Sequence, residues 1–128
     1  MVGNGSSTRL QYSPGRISEA QVVNSFVDRI LARNPLAKVV VLGDFNDFDF
    51  SETLAILRGG VLFNLMSALP QRERYAYVFE GNSQSLDHIL ISWPLLLALP
   101  VYDIVHVNAE FADQVSDHDP QVVRLTLL

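Results

Sequence analysis

The chain has no cysteine. A disulfide framework, a thiolate metal site and a cysteine nucleophile are therefore excluded, and nothing about redox compartment follows. It is also short of positive charge: 9 Lys and Arg stand against 14 Asp and Glu, for a net charge of −5. The basic stripe with which proteins coat nucleic acid is missing, since only Arg58, Arg72, Arg74 and a scatter of others could form one. Long apolar runs are lacking too. The stretches at 39–42 and 89–101 are bounded or broken by Lys38, Gly43, Ser92, Pro94 and Pro100, well short of the roughly 20 residues that span a bilayer. The first residues, Met1-Val2-Gly3-Asn4-Gly5-Ser6-Ser7, contain no basic segment followed by an apolar one, so no signal peptide is expected on this chain.

What is present suffices for one compact domain, because 48% of the 128 residues are apolar. Residues 1–16, rich in Gly, Ser, Asn and Pro, read as a flexible N-terminal segment, leaving 17–128 as the domain. Ser18 and Gln21 make a capping-box pattern, and Val22, Val23, Phe26, Val27, Ile30 and Leu31 recur at helical spacing up to Asn34-Pro35. The β-branched run at 38–42 predicts a strand buried on both faces. Ser51 can cap a helix that Gly59-Gly60 stops. A short helix is expected at 62–69, and a hairpin from strands at 75–80 and 86–92 across a turn at 81–84. Pro94 starts a short helix, and strands follow at 101–107 and 121–127. The order is that of a mixed α/β layer, with one mixed β-sheet and helices on one face.

Acids crowd two segments, with Asp44, Asp47, Asp49 and Glu52 in one and Asp113, Asp117 and Asp119 in the other. Three motifs sit where a predicted strand meets a loop: Gly43-Asp44-Phe45-Asn46, Leu86-Asp87-His88 and Ser116-Asp117-His118-Asp119-Pro120. Strand ends are where α/β enzymes place catalytic groups, although Asp, Asn and Ser also favour such places as turn and cap residues. On an extended backbone Asp44 and Asn46 would point to one side. A carboxylate there can orient an attacking water and an amide can donate to a phosphate oxygen. Asp117 offers hard oxygens to Mg²⁺, His118 can donate to a phosphate oxygen as charge develops, and Asp87 is the candidate to orient the imidazole. His88 follows Asp87 and should face the other way, as a structural group. His106 reads as a satisfied, partly buried histidine, and Trp93 and Tyr102 as packing residues. Asp47, Asp49 and Asp119 either tune the field of the site or solvate loops, and Arg72 and Arg74 either meet phosphates or lie on a solvated loop.

The runs Val41-Leu42-Gly43-Asp44-Phe45-Asn46, Ser85-Leu86-Asp87-His88-Ile89-Leu90-Ile91-Ser92 and Ser116-Asp117-His118-Asp119-Pro120 resemble, in this order, the C-terminal signature motifs of the endonuclease/exonuclease/phosphatase superfamily. Within it, Tyr75-Ala76-Tyr77-Val78-Phe79-Glu80-Gly81 and Val105-His106-Val107-Asn108-Ala109-Glu110-Phe111 look most similar to bacterial predicted extracellular nucleases. The resemblance implies the C-terminal half of a deoxyribonuclease I-like four-layer α/β sandwich. It implies a Mg²⁺-dependent (or Mn²⁺-dependent) phosphodiesterase that attacks phosphorus in line with water. By that resemblance Asp44 activates the water, Asn46 contacts the scissile phosphate, Asp87 orients His118, His118 stabilises the transition state, and Asp117 is a metal ligand. It further implies an extracellular or periplasmic parent.

The superfamily's first half, with its principal metal-binding glutamate, has no counterpart here, so the isolated chain is expected to bind Mg²⁺ weakly and to turn over poorly. A sheet face left apolar by the missing half would need that half or a second copy of the chain to cover it. Phosphomonoesterase and phospholipid-headgroup hydrolase are the alternatives within the enzyme class. A non-catalytic α/β binding module is the alternative outside it. Convergence of Asp44, Asn46, Asp87, Asp117 and His118 at one sheet edge separates the two classes.

Overall fold

The computed structural model describes residues 13–127. Helix α1, Pro14–Arg33, starts a turn earlier than the Ser18 pattern predicts, because Ser13 is extended, caps the Arg16 N–H at 3.4 Å and puts Pro14 at the first helical position. Residues 14–16 of the expected flexible segment are thus helical, and residues 1–12 lie outside the described part. Strand β1 (Val40–Asp44) and helix α2 (Glu52–Arg58) follow. Ser51 caps α2 as expected, and Gly59 ends it at φ 51, a left-handed conformation that suits glycine.

The expected helix at 62–69 divides. Leu62–Asn64 is strand β2, and Leu65–Ala68 is one 3-10 turn capped by the Asn64 side chain. A second 3-10 turn spans Gln71–Glu73. The hairpin also differs from expectation. Strand β3 (Tyr77–Phe79) pairs with β4 (Asn82–Gln84) around Glu80 and Gly81, at φ 48 and 79. Two positive-φ residues make the tight turn whose twist matches a hairpin, so the strand predicted at 86–92 is freed for other partners. It becomes β5 (Asp87–Ser92), followed by α3 (Trp93–Leu97), β6 (Val101–Ile104) and β7 (Gln121–Arg124).

The strands are mixed with helices as expected, but not in one mixed sheet: three antiparallel sheets form, β1-β5-β2, β3-β4 and β6-β7. β5 is the strand buried on both faces, a place the sequence seemed to give to β1. Leu90 packs with Ala20, Val27, Leu54, Leu57 and Leu62 under the helices. Ile89 and Ile91 pack on the other side with Leu65, Leu95, Tyr102 and Val123. β1 lies at the sheet edge and alternates, with Val40 and Leu42 open to solvent. Trp93 is 53% exposed, against the packing role expected of it, since it opens α3 at the surface. Among the described residues no helix is long and apolar enough to cross a membrane.

Candidate active site

The last residue of β1 faces the first residue of β5. In the antiparallel register Asp44 lies directly opposite Asp87, which places two carboxylates side by side at one sheet edge. Like charges directly opposite are destabilising unless a cation or proton stands between them. His118 supplies one: its Nδ1 hydrogen-bonds Asp87 Oδ2. Three contacts bring this histidine in from far along the chain. Tyr77 forms a β-bridge with His118, the Asp119 N–H donates to the Ala76 carbonyl at 2.7 Å, and Gln121 Nε2 donates to the Asp87 carbonyl at 2.7 Å. The Tyr77 ring lies 4.9 Å from the imidazole, tilted by 31°.

Ligand atoms of Asp44, Asp87 and His118 lie within 4.8 Å of one another, so this group can hold a metal ion. It opens onto a cavity of about 640 Å³ that Asn108, Ser116 and Asp117 also line. His118 Nε2 has no protein partner among the described residues, which leaves it available to a ligand in that cavity. Burial pushes the Asp87 carboxyl up, and the charge of Asp44 adds to this, against the pull of His118. Burial alone would push His118 down, but the hydrogen bond and charge of Asp87, with Asp44 and Asp117 behind it, outweigh burial and raise it. Both members of the pair therefore move up, and the site holds its proton over more of the pH range.

Asp117 is exposed on the same cavity, next to His118 but outside the three-residue group. Asn46 does not continue the strand. It sits at φ 50, its N–H donates to Asp44 Oδ1 at 2.8 Å, and its side chain lines a neighbouring cavity with Arg16, Glu19 and Thr53. The alternation argument that sent Asp44 and Asn46 to one side fails here, because the chain leaves extended geometry at residue 46. So four of the five sequence candidates share one cavity, and Asn46 lines another that has Asp44 in common with it.

Two buried networks fix this arrangement, and the sequence hardly announced them. His88, facing away from the cluster, is 1% exposed. Its Nε2 donates to the Asp47 carbonyl at 2.8 Å, and its Nδ1 accepts from Asn64 at 3.0 Å, so the neutral ring pins the loop after β1. Burial lowers its pKa, which suits that role. Asp47, expected either to tune the field of the site or to solvate a loop, is fully buried and receives Arg16 Nε at 3.2 Å and the Phe48 N–H at 3.0 Å.

Asp119 is the centre of the second network. Its Oδ1 accepts the N–H groups of Val107, Asn108 and Ala109 at 3.1, 2.8 and 2.9 Å, and its Oδ2 pairs with His106 Nδ1 at 2.9 Å. Burial pushes this carboxyl up, but those donors prevail and hold it below the ordinary value. The expected strand at 101–107 stops at Ile104, and the N–H groups of Val107 and its two successors turn to this carboxylate. Asn108 Nδ2 in turn donates to the His118 carbonyl at 3.0 Å. Asp119 and Asn108 thus set the backbone of His118. In the sequence Asp119 stood out only within the acidic third motif and Asn108 only within the run at 105–111, with nothing to show that they meet.

Comparison with known proteins gives the family and the fold. Residues 4–122 match the model of the Endonuclease/Exonuclease/phosphatase family. Among solved structures the chain is similar to a mannosyl-6-phosphatase of Bacteroides thetaiotaomicron VPI-5482, at 21% identity and a TM-score of 0.58, over 91% of this chain and 48% of that one. It is also similar to an endonuclease/exonuclease/phosphatase family protein from Bacteroides thetaiotaomicron, at 21% identity and a TM-score of 0.56, over 86% of this chain and 43% of that one. The chain spans about half the length of these structures. None of the curated proteins matches it.

Proposed function

The chain belongs to the endonuclease/exonuclease/phosphatase family, and from that premise we propose that it forms the C-terminal half of a Mg²⁺-dependent phosphodiesterase domain that hydrolyses phosphate esters, nuclease-like, by in-line attack of water. The observation that carries this reading is the facing pair Asp44 and Asp87, with His118 hydrogen-bonded to Asp87, on one cavity. Paired acids with a raised histidine suit a phosphoryl group, which needs a base for water on one side and a donor for developing charge on the other.

In this reading Asp44, the more exposed of the two acids, takes the proton of the attacking water. Asp87 fixes the tautomer of His118, and Nε2 of that ring donates to a phosphate oxygen. Asn46, on the turn that Asp44 closes, contacts the phosphate. The carboxylates of Asp44, Asp87 and Asp117 are hard donors that fit Mg²⁺ or Mn²⁺, and Asp117 would be a ligand. Such an ion, when bound, neutralises charge on the phosphate.

The missing partner is the N-terminal half of the domain, consistent with the half-length match to the solved structures. Without it we infer little or no turnover by the chain alone, and its absence leaves Val40 and Leu42 open to that half or to a second copy. An extracellular or periplasmic parent acting on nucleic acid belongs to the same proposal and rests on the resemblance of residues 75–81 and 105–111. A phosphomonoesterase is the second reading, favoured by the neighbour named mannosyl-6-phosphatase.

The test is Mg²⁺-dependent hydrolysis of bis-p-nitrophenyl phosphate, plasmid DNA and mannose 6-phosphate by a protein joining this chain to a first half, with and without His118→Ala. Diester turnover that the substitution abolishes supports the proposal. Turnover of mannose 6-phosphate alone moves the assignment to the second reading, and equal activity of the variant removes His118 from the chemistry.

A further inference from the structure

A further cavity of about 360 Å³ lies between the loop after β1 and the turn at Gln71–Glu73. Its walls are Phe48, Phe50, Arg72, Arg74 and Tyr75, with Asp49 and the serines at 83 and 85 below. The rings of Phe48 and Phe50 stack 5.1 Å apart and nearly parallel, at 4°, and Phe50 is 69% exposed. An exposed aromatic face held flat by a second ring is a stacking platform. Arg74 is tied down, its Nε and terminal nitrogen donating to the carbonyls of Leu69 at 2.8 Å and Ser67 at 3.0 Å. Arg72 is exposed and has no hydrogen bond or ion pair among the described residues. The acid in the cavity is already engaged, since Asp49 Oδ1 accepts from Ser85 Oγ at 2.8 Å. In a chain of net charge −5, a cavity with two guanidinium groups and an occupied carboxylate is an exception that favours an anionic ligand.

Two of the cavity's residues lie close along the chain to residues that touch His118. Ser85 precedes Asp87 by two residues and Tyr75 precedes Tyr77 by two, so each of these residues is at most about 7 Å of chain from a residue that touches His118. Tyr75 also stacks on His106 at 4.1 Å, and His106 is bonded to Asp119 beside the catalytic histidine.

We propose that this cavity is the subsite for the organic part of the ester, and that it takes a nucleotide unit, its flat base against Phe50 and an anionic group at Arg72. The proposal rests on the reading of the neighbouring cluster as a phosphoryl site. A sugar ring offers no flat π face to Phe50, and it should bind less well.

The experiment follows amide and imidazole NMR signals of this chain during titration with adenosine 5′-monophosphate, glucose 6-phosphate and inorganic phosphate. Adenosine monophosphate should shift Phe50 and Arg72 and bind about tenfold or more tightly than the other two. Phe50→Ala and Arg72→Ala should each remove most of that advantage while the His118 response to inorganic phosphate stays unchanged. Equal binding of adenosine monophosphate and glucose 6-phosphate overturns the base assignment. Wild-type binding by both variants overturns the subsite. If inorganic phosphate leaves His118 unmoved while the nucleotide still shifts Phe50 and Arg72, the cavity is a nucleotide site, but its role as a subsite of the ester falls with the phosphoryl reading.

Discussion

Asp87 and His118, 31 residues apart in sequence, are hydrogen-bonded through Oδ2 and Nδ1 at one edge of the sheet. Burial lowers His118 and the bond to Asp87 raises it, with the acids winning. Asp87→Asn removes a hydrogen bond and a charge from the winning side. The His118 imidazole should therefore titrate at lower pH in that variant, and NMR of the ring protons reads the shift. An unchanged midpoint would show that Asp87 does not control this ring.

Asp119→Ala should destabilise the fold. Three backbone N–H groups and His106 lose one acceptor, and the carboxylate is buried, so the cost is about 3 kcal/mol, near the upper range for unsatisfied buried groups. Urea unfolding checks it. A midpoint within error of wild type would mean water replaces the carboxylate at no cost.

His88 makes stability depend on pH, with a sign opposite to that of His118. Its folded pKa lies below the ordinary 6.5, so the folded state binds fewer protons than the unfolded chain. The stability it contributes is present above pH 6.5 and is lost as pH falls below it, by about 1.4 kcal/mol per pH unit until the folded pKa is reached. His118 is raised, so its contribution is complete below 6.5 and fades as pH climbs through its folded value. Urea midpoints of wild type and His88→Gln between about pH 7 and about pH 5 separate the two. The acid-side loss should disappear in the variant; if it persists, the buried imidazole is not its source.

Mn²⁺ should broaden NMR signals at Asp44, Asp87, Asp117 and His118, and binding should be weak, in keeping with half a site. Asp44→Asn and Asp117→Asn should each weaken it about tenfold or more. Broadening spread evenly over the acidic surface would dissolve the proposed ion site.

Much of the helical framework was readable because caps and breakers are local. Ser51 and Gly59 mark both ends of α2, and Pro94 marks α3. The hairpin differs because Glu80 adopts a positive φ that a glutamate rarely shows, so a two-residue turn forms at Glu80 and Gly81 in place of the turn expected at 81–84. The strand buried on both faces was assigned to β1 because 38–42 and 87–92 look alike in composition, and only sheet order tells edge from centre.

At the site, the three strand-end motifs located Asp44, Asp87 and His118, and the resemblance gave each a part in one reaction. What local patterns could not give was register. That Asp44 stands opposite Asp87, and that the Asp119 carboxylate gathers three N–H groups, are consequences of chain segments meeting across long separations.

The central claim is that Asp87 works through His118 on a phosphate ester. A double-mutant cycle in the joined two-half protein tests it, with hydrolysis of bis-p-nitrophenyl phosphate measured for wild type, Asp87→Asn, His118→Ala and the double variant. His118→Ala should cost about 10²–10³ in kcat, Asp87→Asn about 10–100, and the double variant no more than His118→Ala alone. Losses that multiply in the double variant would contradict the account, because the two residues would then act independently.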